Sequence, residues 1–220
     1  MKVVAFVPIK MNNERTPGKN TKKFDTGKPL IQFILETLKK SSEIDEIYVY
    51  CSNEKIKEYL IPGVNYLKRD VKYDTAQADV NDMFFTFSKE VYADIYVLAL
   101  ATAPFLSFQS IDRGIHAVKS NEYDSALSVK KMQEFIWQNG NAINYDTLHI
   151  PRTQDLPLLF VETTGLYIYT RDVIQQRHSR IGAHPYMVEV SKIESVDIND
   201  PVDFEIANAI NNYFLQKEKP

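Results

Sequence analysis

Hydrophobic and polar positions along the chain form two kinds of stretch that follow one another in regular order. The continuous apolar run at residues 3–7 predicts a buried strand, and the apolar side chains of residues 30–38 recur at helical spacing just after Pro29. Further strands are predicted at residues 47–51, 64–67, 94–100, 125–129, 166–169 and 186–190, and further helices at about 77–92, after Ser107 or Ser110, and at about 201–214. Short connections between these elements predict an α/β fold, a three-layer α/β/α sandwich around a mostly parallel sheet.

The alternation of strands and helices breaks at about residues 130–162. This stretch contains the only tryptophan, Trp137, a turn signal at residues 138–141 and a proline-bounded cluster at residues 151–157. We interpret it as a hairpin-like excursion from the sheet that covers a pocket or contacts a second subunit. The sequence thus predicts one domain over residues 1–220, with a lid-like or dimerisation excursion at about 130–162.

Composition excludes several classes of protein. The chain has 26 Lys and Arg against 29 Asp and Glu, and this net charge of −3 argues against nucleic-acid binding. No apolar run approaches the roughly 20 residues that span a bilayer, and the first residues lack the shape of a signal peptide. The single cysteine, Cys51, cannot form an internal disulfide and fits a reducing compartment. We expect a cytoplasmic protein without nucleic-acid or membrane partners.

Cationic and amide side chains are concentrated in the loop after the first strand. Lys10, Asn12, Asn13, Arg15 and Lys19 all lie there, close to a glycine at position 18. Cations and free backbone N–H groups just past a buried strand suit a polyphosphate, because ligands of α/β folds bind at the carboxyl ends of strands. A solvated surface loop is the alternative interpretation.

A second candidate site lies near the last predicted helix. Residues two apart in an extended segment point the same way, so Asp197 and Asn199 could present oxygens to one cation such as Mg²⁺. Asp200 and Asp203 flank Pro201 at the helix start, where capping and dipole complementation explain both.

Other loops carry weaker signals. Asn53 can contact a nucleotide but is better explained as a helix cap, and Thr102 follows the most apolar strand, where it could line a pocket floor. Arg69 suits a phosphate, although an exposed ion pair with Asp70 is the default. Arg152 and Gln154 could orient an anionic substrate or contact another subunit. No Walker loop, dinucleotide fingerprint or nucleophile-elbow motif is present.

Several of these segments together match the pattern of a known family. They are Pro8-Ile9-Lys10, residues 15–20, Gly27-Lys28-Pro29, residues 69–76, Thr102-Ala103-Pro104, Arg152 with residues 154–157, and residues 162–168 and 197–199. In order and spacing they resemble the cytidylyltransferases that activate nine- and eight-carbon keto-acid sugars, the acylneuraminate (CMP-sialic acid) and CMP-KDO synthetases. The resemblance covers nearly the whole chain and implies a Rossmann-like nucleotidyltransferase sheet.

The resemblance implies that CTP and an acidic keto-acid sugar give a CMP-sugar and pyrophosphate, with Mg²⁺ as cofactor and a homodimer as the assembly. Lys10, Arg15 and Lys19 would be catalytic, holding the triphosphate and stabilising the leaving pyrophosphate. The remaining roles implied are nucleotide contacts for Lys10, Asn12, Asn13, Arg15, Lys19, Arg69 and Thr102, sugar contacts for Arg152, Gln154 and Thr164, and metal binding for Asp197 and Asn199.

Five positions depart from the family pattern. An opening arginine is Lys10 here, and a lysine often found in the same loop is Glu14, with Arg15 beside it as in the KDO branch. A glutamine near the base or sugar falls at about Leu100, the asparagine before Gly165 is Thr164, and the second metal aspartate is Asn199.

Three alternatives stay open. One is a nucleotidyltransferase with another base or acceptor, such as a phosphonate or other capsule precursor. Another is a non-catalytic nucleotide- or sugar-binding paralogue, which the departures at Leu100 and Asn199 motivate, and the third is an interaction protein, which only the excursion around Trp137 supports.

Overall fold

The computed structural model describes residues 1–12 and 17–217. Its strands are β1 (Val3–Ile9), β2 (Glu46–Cys51), β3 (Asn65–Lys68), β4 (Ile95–Ala99), β5 (Ser125–Met132), β6 (Trp137–Gln138), β7 (Asn141–Ala142), β8 (Leu159–Thr170) and β9 (Pro185–Glu189). Within the described residues, seven of them form one sheet in the order β3-β2-β1-β4-β8-β5-β9, and β6 pairs with β7. Only β8 runs antiparallel to its neighbours in that sheet, so the predicted mostly parallel α/β sandwich is confirmed.

Five α-helices of the described chain connect and flank the strands. They are α1 (Leu30–Lys40), α2 (Val80–Glu90), α3 (Phe108–Lys119), α4 (Arg171–Arg177) and α5 (Pro201–Lys217). Pro29 is the N-cap of α1, and the Ser107 hydroxyl caps α3 by accepting from the N–H of Ser110. No helix in the described parts of the chain is long and apolar enough to cross a membrane.

The sheet is buried on both faces, which explains why β1 and β4 are apolar throughout. One face packs on α1 and α3 through residues such as Ile34 and Ile115. The other packs on α2 and α4 through a cluster that includes Phe87 and Ile174. Ligands are therefore excluded from the faces of the sheet and meet the loops at its edges.

A third apolar cluster anchors α5 beside the sheet. It consists of Phe24, Leu30, Ile198, Phe204 and Ala207, all buried. Ile198 is completely buried, although polar residues flank it on both sides. Burial of this side chain, worth about 2 kcal/mol, fixes the segment that carries Asp197 and Asn199.

Some predicted element boundaries are wrong. Helix α2 begins at Val80 rather than near residue 77, because the Asp79 carboxylate accepts from the N–H groups of Asn81 and Asp82 and caps it there. The short helix α4 was not predicted. The strand predicted at residues 166–169 extends over twelve residues as β8, and its antiparallel direction was not foreseen.

The excursion predicted near residues 130–162 projects from the sheet as an arm. The outer halves of β5 and β8 pair from Val129–Glu162 to Met132–Leu159, and the β6–β7 hairpin lies beyond them. Leu148 is 85% exposed, and other large apolar side chains of the arm are also exposed, namely Phe135, Trp137, Ile143, Ile150, Leu158, Leu159 and Phe160. The arm therefore exposes more large apolar side chains than a surface that contacts only solvent usually does.

Candidate active site

The two polar segments singled out in the sequence meet at the carboxyl edge of the parallel strands. The ammonium nitrogen of Lys19 donates a hydrogen bond to the carbonyl oxygen of Ile198 at 2.5 Å, across 179 positions of sequence. Lys19 is only 8% exposed. The loop is held further by Asn20, whose side-chain amide donates to the carbonyl of Lys10 at 3.0 Å. Lys10, Lys19 and Asp197 therefore belong to one region of the molecule.

Asp197 and Asn199 lie on the same side of an extended segment, as the two-residue spacing predicts. The Asn199 Nδ2 atom donates to Asp197 Oδ2 at 2.7 Å. Between them, the N–H of Ile198 donates to the carbonyl of Thr102 at 2.9 Å, which attaches the segment to the turn after β4. The proposed metal pair and the proposed pocket floor at Thr102 are thus adjacent.

The start of α5 is capped by two aspartates. Asp200 Oδ1 accepts from the N–H groups of Val202 and Asp203. In return, Asp203 Oδ2 accepts from the N–H groups of Asn199 and Asp200. This confirms the structural interpretation of Asp200 and Asp203, since each carboxylate satisfies helix N-terminal donors.

Thr164 approaches Asp197 from β8 in a conformation that is rare for its residue type. Its φ is 58°, and its hydroxyl lies 3.5 Å from Asp197 Oδ2. The next residue, Gly165, accepts from the N–H of Leu100 at 3.0 Å, and a Cβ on it would lie 2.7 Å from Cβ of Ala103. Because β8 approaches the turn after β4 so closely, Thr164 is held beside the segment that carries Asp197.

A polar cavity of about 320 Å³ opens beside the first loop. Asn12 and Asp74 are among its lining residues, together with Met11, Ser52, Asn53, Glu54 and Val71. Asp74 joins Arg69 at 2.5 Å and accepts from the Ser52 hydroxyl. The expected exposed Arg69–Asp70 ion pair is wrong, because Arg69 is only 3% exposed and pairs with Asp74 instead.

The remaining predicted site residues lie elsewhere. Arg152 forms a double ion pair with Asp155 in the arm, and its side chain is 72% exposed. The Gln154 carbonyl accepts from Gln133, also within the arm. These contacts do not join Arg152 or Gln154 to Asp197. Asn13 and Arg15 lie outside the described residues.

Glu162, Tyr167 and Arg180 form a polar cluster whose tyrosine feels the charge of Asp197. The sequence pattern assigned none of them a role, although Glu162 and Tyr167 lie within the family-like segment at residues 162–168. The hydroxyl of Tyr167 donates to Glu162, and Arg180 lies 3.4 Å from the same carboxylate with its guanidinium 3.8 Å from the centre of the Tyr167 ring. Burial, the bond to Glu162 and the nearby Asp197 carboxylate raise the pKa of Tyr167 well above its usual value, so it stays a donor. Arg180 lies in a loop with no recognisable motif.

Glu194 is a further residue that the sequence did not reveal. Its Oε1 accepts from both hydroxyls of Ser107 and Ser110 and from the N–H of Ser107, while Oε2 accepts from the N–H of Ser191. Burial alone would raise the pKa of Glu194, but these bonds lower it to about 2. The carboxylate thereby attaches the segment before Asp197 to the start of α3.

A mostly parallel sheet whose carboxyl edge carries a buried lysine, a carboxylate and a polar cavity is typical of nucleotide-binding α/β proteins. The chain belongs to the cytidylyltransferase family, whose model matches residues 4–219.

Named relatives and solved structures agree with this family. The chain is 28% identical to a CMP-N,N'-diacetyllegionaminic acid synthase of Legionella pneumophila, covering 96% of each protein. It is 24% identical to 3-deoxy-manno-octulosonate cytidylyltransferase 2 of Hydrogenovibrio crunogenus, covering 96% of this chain and 99% of that one. The fold matches a CMP:2-keto-3-deoxy-manno-octonic acid synthetase solved with CTP at a TM-score of 0.73 and 17% identity, covering 97% and 99% of the two chains.

Proposed function

We propose that this chain transfers a cytidylyl group from CTP to an acidic keto-acid sugar, giving a CMP-sugar and pyrophosphate. The observation that carries the proposal is the contact of Lys19 with Ile198, which brings a buried cation next to Asp197. The relatives named for legionaminic acid and 3-deoxy-manno-octulosonate support the choice of acceptor.

In this reaction a sugar hydroxyl oxygen forms a bond to the α-phosphorus of CTP. The bond between that phosphorus and the oxygen that bridges it to the β-phosphate breaks. The hydroxyl proton is released, and pyrophosphate leaves. Lys10 and Lys19, with Arg15 and Asn13 from outside the described residues, hold the triphosphate and stabilise the leaving charge. Asn12 and Thr102 contact the nucleotide, and Arg69 supports the cavity beside Asn12 through Asp74.

Mg²⁺ is the cofactor that we propose, and the donor set fits it. Asp197 offers a carboxylate oxygen, and oxygen ligands with substrate phosphates are what Mg²⁺ prefers. Among the described residues, no group of three or more His, Cys, Asp or Glu side chains converges that could hold a metal alone. When bound, the ion neutralises phosphate charge. The side chains of Asp197 and Asn199 would hold it at the nucleotide.

The acceptor lies, in this proposal, on the β8 side of Asp197. Thr164 is within 3.5 Å of that carboxylate, and β8 continues into the arm that carries Arg152 and Gln154. We assign these three residues to the sugar acid. A sialic acid, a legionaminic acid or KDO would fit such a mixture of hydroxyl, amide and guanidinium donors.

The arm supports a homodimer as the assembly that we propose. Its exposed apolar side chains, including Trp137 and Leu148, would be covered by a second copy. Light scattering tests this directly. The Leu148→Asp/Ile150→Asp double variant should be monomeric, whereas an unchanged dimer mass would exclude the arm as the interface.

The proposed site of action is the cytoplasm. Cys51 is buried and forms no disulfide, which fits a reducing compartment.

A second candidate function is cytidylyl transfer to a different acceptor. The fold also matches a 4-diphosphocytidyl-2C-methyl-D-erythritol synthase of Anaerococcus prevotii, with a TM-score of 0.70 and 12% identity over 96% of each chain. Because this fold occurs with that acceptor, the fold alone leaves the acceptor open.

Pyrophosphate release across a matrix of four nucleoside triphosphates and several sugar acids tests the proposal. Sialic, legionaminic and pseudaminic acids and KDO form the acceptor set, with excess Mg²⁺ and Asp197→Asn as the control. We expect release only with CTP and at least one of these acids, reduced at least about 100-fold in the control. If none of the tested acids gives pyrophosphate release, the proposed acceptor class is excluded. Binding of CTP without any turnover would favour a binding paralogue.

A further inference from the structure

We propose that a second ligand site, separate from the site at Asp197, binds small organic monoanions with a planar apolar body. The site is a cavity of about 480 Å³ between α1, the start of α3 and the end of α5, which we call the α1–α5 cavity. Its lining includes Phe33 and Lys40 of α1, Phe105 before α3, Phe108 at its start, and Asn211 and Phe214 of α5. Among the described residues, none that we assign to nucleotide, metal or sugar lines this cavity, so the inference goes beyond the proposed cytidylyl transfer.

Phenylalanine rings give the α1–α5 cavity its apolar surface. Phe33 and Phe105 pack on the buried cluster around Phe24 but are themselves only partly buried, which leaves ring surface facing the cavity. Their ring centroids lie 6.4 Å apart, with the planes at 82°. Phe214 is 37% exposed and contributes from α5. Aromatic rings pair best with other flat rings, by offset stacking or edge to face, so the apolar part of the ligand is expected to be planar.

The charged residues of the cavity favour a single negative charge on the ligand. The ammonium nitrogen of Lys28 lies 2.6 Å from Glu36 Oε2, so these two lining residues neutralise each other. Lys40 also lines the cavity and forms no ion pair or hydrogen bond within the described parts of the chain. One positive charge therefore remains for an anionic group of the ligand.

The anionic group is expected beside Lys40, with Asn211 as a further donor, and not at the N-terminus of α3. Glu194 Oε1 already accepts there from the N–H and hydroxyl of Ser107 and from the hydroxyl of Ser110. The Nδ2 atom of Asn211, by contrast, is buried and has no hydrogen-bond partner among the described residues. Because buried polar groups normally have a partner, an oxygen of the ligand would supply the missing acceptor.

1-Naphthoate is a suitable probe, since it carries one carboxylate on a planar aromatic body. Isothermal titration calorimetry with the whole protein should show one saturable site. Naphthalene-1-carboxamide has nearly the same shape without the charge and should bind at least about fivefold more weakly. If neither compound binds, the inference is overturned.

Two substitutions on α1 test where the probe binds. Thr37 lines the cavity, so Thr37→Trp should fill it and weaken 1-naphthoate binding at least about tenfold. Lys40→Gln should abolish the preference for 1-naphthoate over the carboxamide, because the charged contact is what distinguishes the two compounds. Lys39→Gln is the matched control and should keep the full preference, since the Lys39 ammonium donates to the Pro62 carbonyl at 2.6 Å and does not line the cavity.

Other binding places for an aromatic anion give different results. Displacement of 1-naphthoate by CTP would place the probe at the nucleotide site, and loss of binding in the Leu148→Asp/Ile150→Asp variant would place it on the arm. Either result would overturn the inference, as would normal binding by folded Thr37→Trp or an unchanged preference in Lys40→Gln. Lys40 is exposed, so Lys40→Gln keeps the test decisive even if Thr37→Trp does not fold.

Discussion

The Lys19 ammonium and the Ile198 carbonyl oxygen, 2.5 Å apart, join the first loop of the chain to the segment before its last helix. The ammonium is buried in this contact, and Lys19 is only 8% exposed. The contact therefore sets how far the ammonium of Lys19, the cation that we propose binds phosphate, lies from the carboxylate of Asp197.

Replacing Lys19 should impair catalysis more than folding. Lys19→Met keeps the buried stem but removes the charge, and we expect kcat/KM for CTP to fall at least about 100-fold. Pyrophosphate release at saturating sugar acid measures it. Lys23→Met, an exposed lysine in the same region, should retain activity. Equal losses in both variants would remove Lys19 from the nucleotide site.

Thr164 adopts a backbone conformation that glycine adopts without strain. Thr164→Gly should raise the free energy of unfolding by up to about 1 kcal/mol, because relief of strain exceeds the added chain entropy. It should also weaken the acceptor step, since the hydroxyl that faces Asp197 is lost. Thr164→Ala keeps the strain and removes the hydroxyl, so it should lose activity without gaining stability. Urea unfolding and steady-state kinetics distinguish the two effects.

Glu194 should make stability depend on pH in the acid range. Its folded-state pKa of about 2 lies below the usual 4.5, so its contribution is complete above about pH 4.5 and disappears as pH falls toward 2. Glu194→Gln should lower the free energy of unfolding by about 1–2 kcal/mol at pH 7. The difference from the unaltered chain should shrink below pH 4.5.

The exposed Glu122→Gln is the matched control for Glu194 and should change stability little at any pH. Denaturant titrations at pH 7, 4.5 and 3 provide the measurement. A constant difference between Glu194→Gln and the unaltered chain across this range would contradict the role of its charge.

Arg180 should affect the sugar acid and not the nucleotide. Its guanidinium stacks on Tyr167, which feels the charge of Asp197, and lies beside Glu162. Arg180→Gln should raise KM for the sugar acid at least about tenfold, because one charged hydrogen bond is worth that much, with KM for CTP unchanged. The exposed Arg177→Gln on α4 should behave like the unaltered chain. A rise in KM for CTP alone would place Arg180 at the nucleotide instead.

The sequence predicted the parts of the site that depend on parallel strands. Carboxyl ends of parallel strands meet at one edge, so the Lys19 loop and the turn at Thr102 were expected to be close together, and the structure places them so. Ile198 holds the neighbouring Asp197 at this edge because its side chain is buried in an apolar cluster. The members of that cluster are recognisable as apolar residues in the sequence. Helix caps at Asn53 and Asp200 followed from local chemistry alone.

The parts that escaped prediction depend on long-range pairing. The outer half of β8 begins with the apolar residues 159–161, but its register and its antiparallel direction are set by pairing with β4 and β5, which no local pattern encodes. Arg180 reaches Glu162 only because that strand places Glu162 at the site. Arg69 was expected at the surface, but its burial depends on Asp74 and Met83, contacts that no local pattern encodes.

Strand β8 carries Thr164 and also forms one side of the arm through Leu159 and Phe160, so the proposed dimer contact and the proposed acceptor site share one strand. Substitutions that adapt the arm to a new neighbour will also shift the backbone beside Asp197. In the divergence of such enzymes, quaternary contacts and acceptor preference should consequently change together, as one inherited trait.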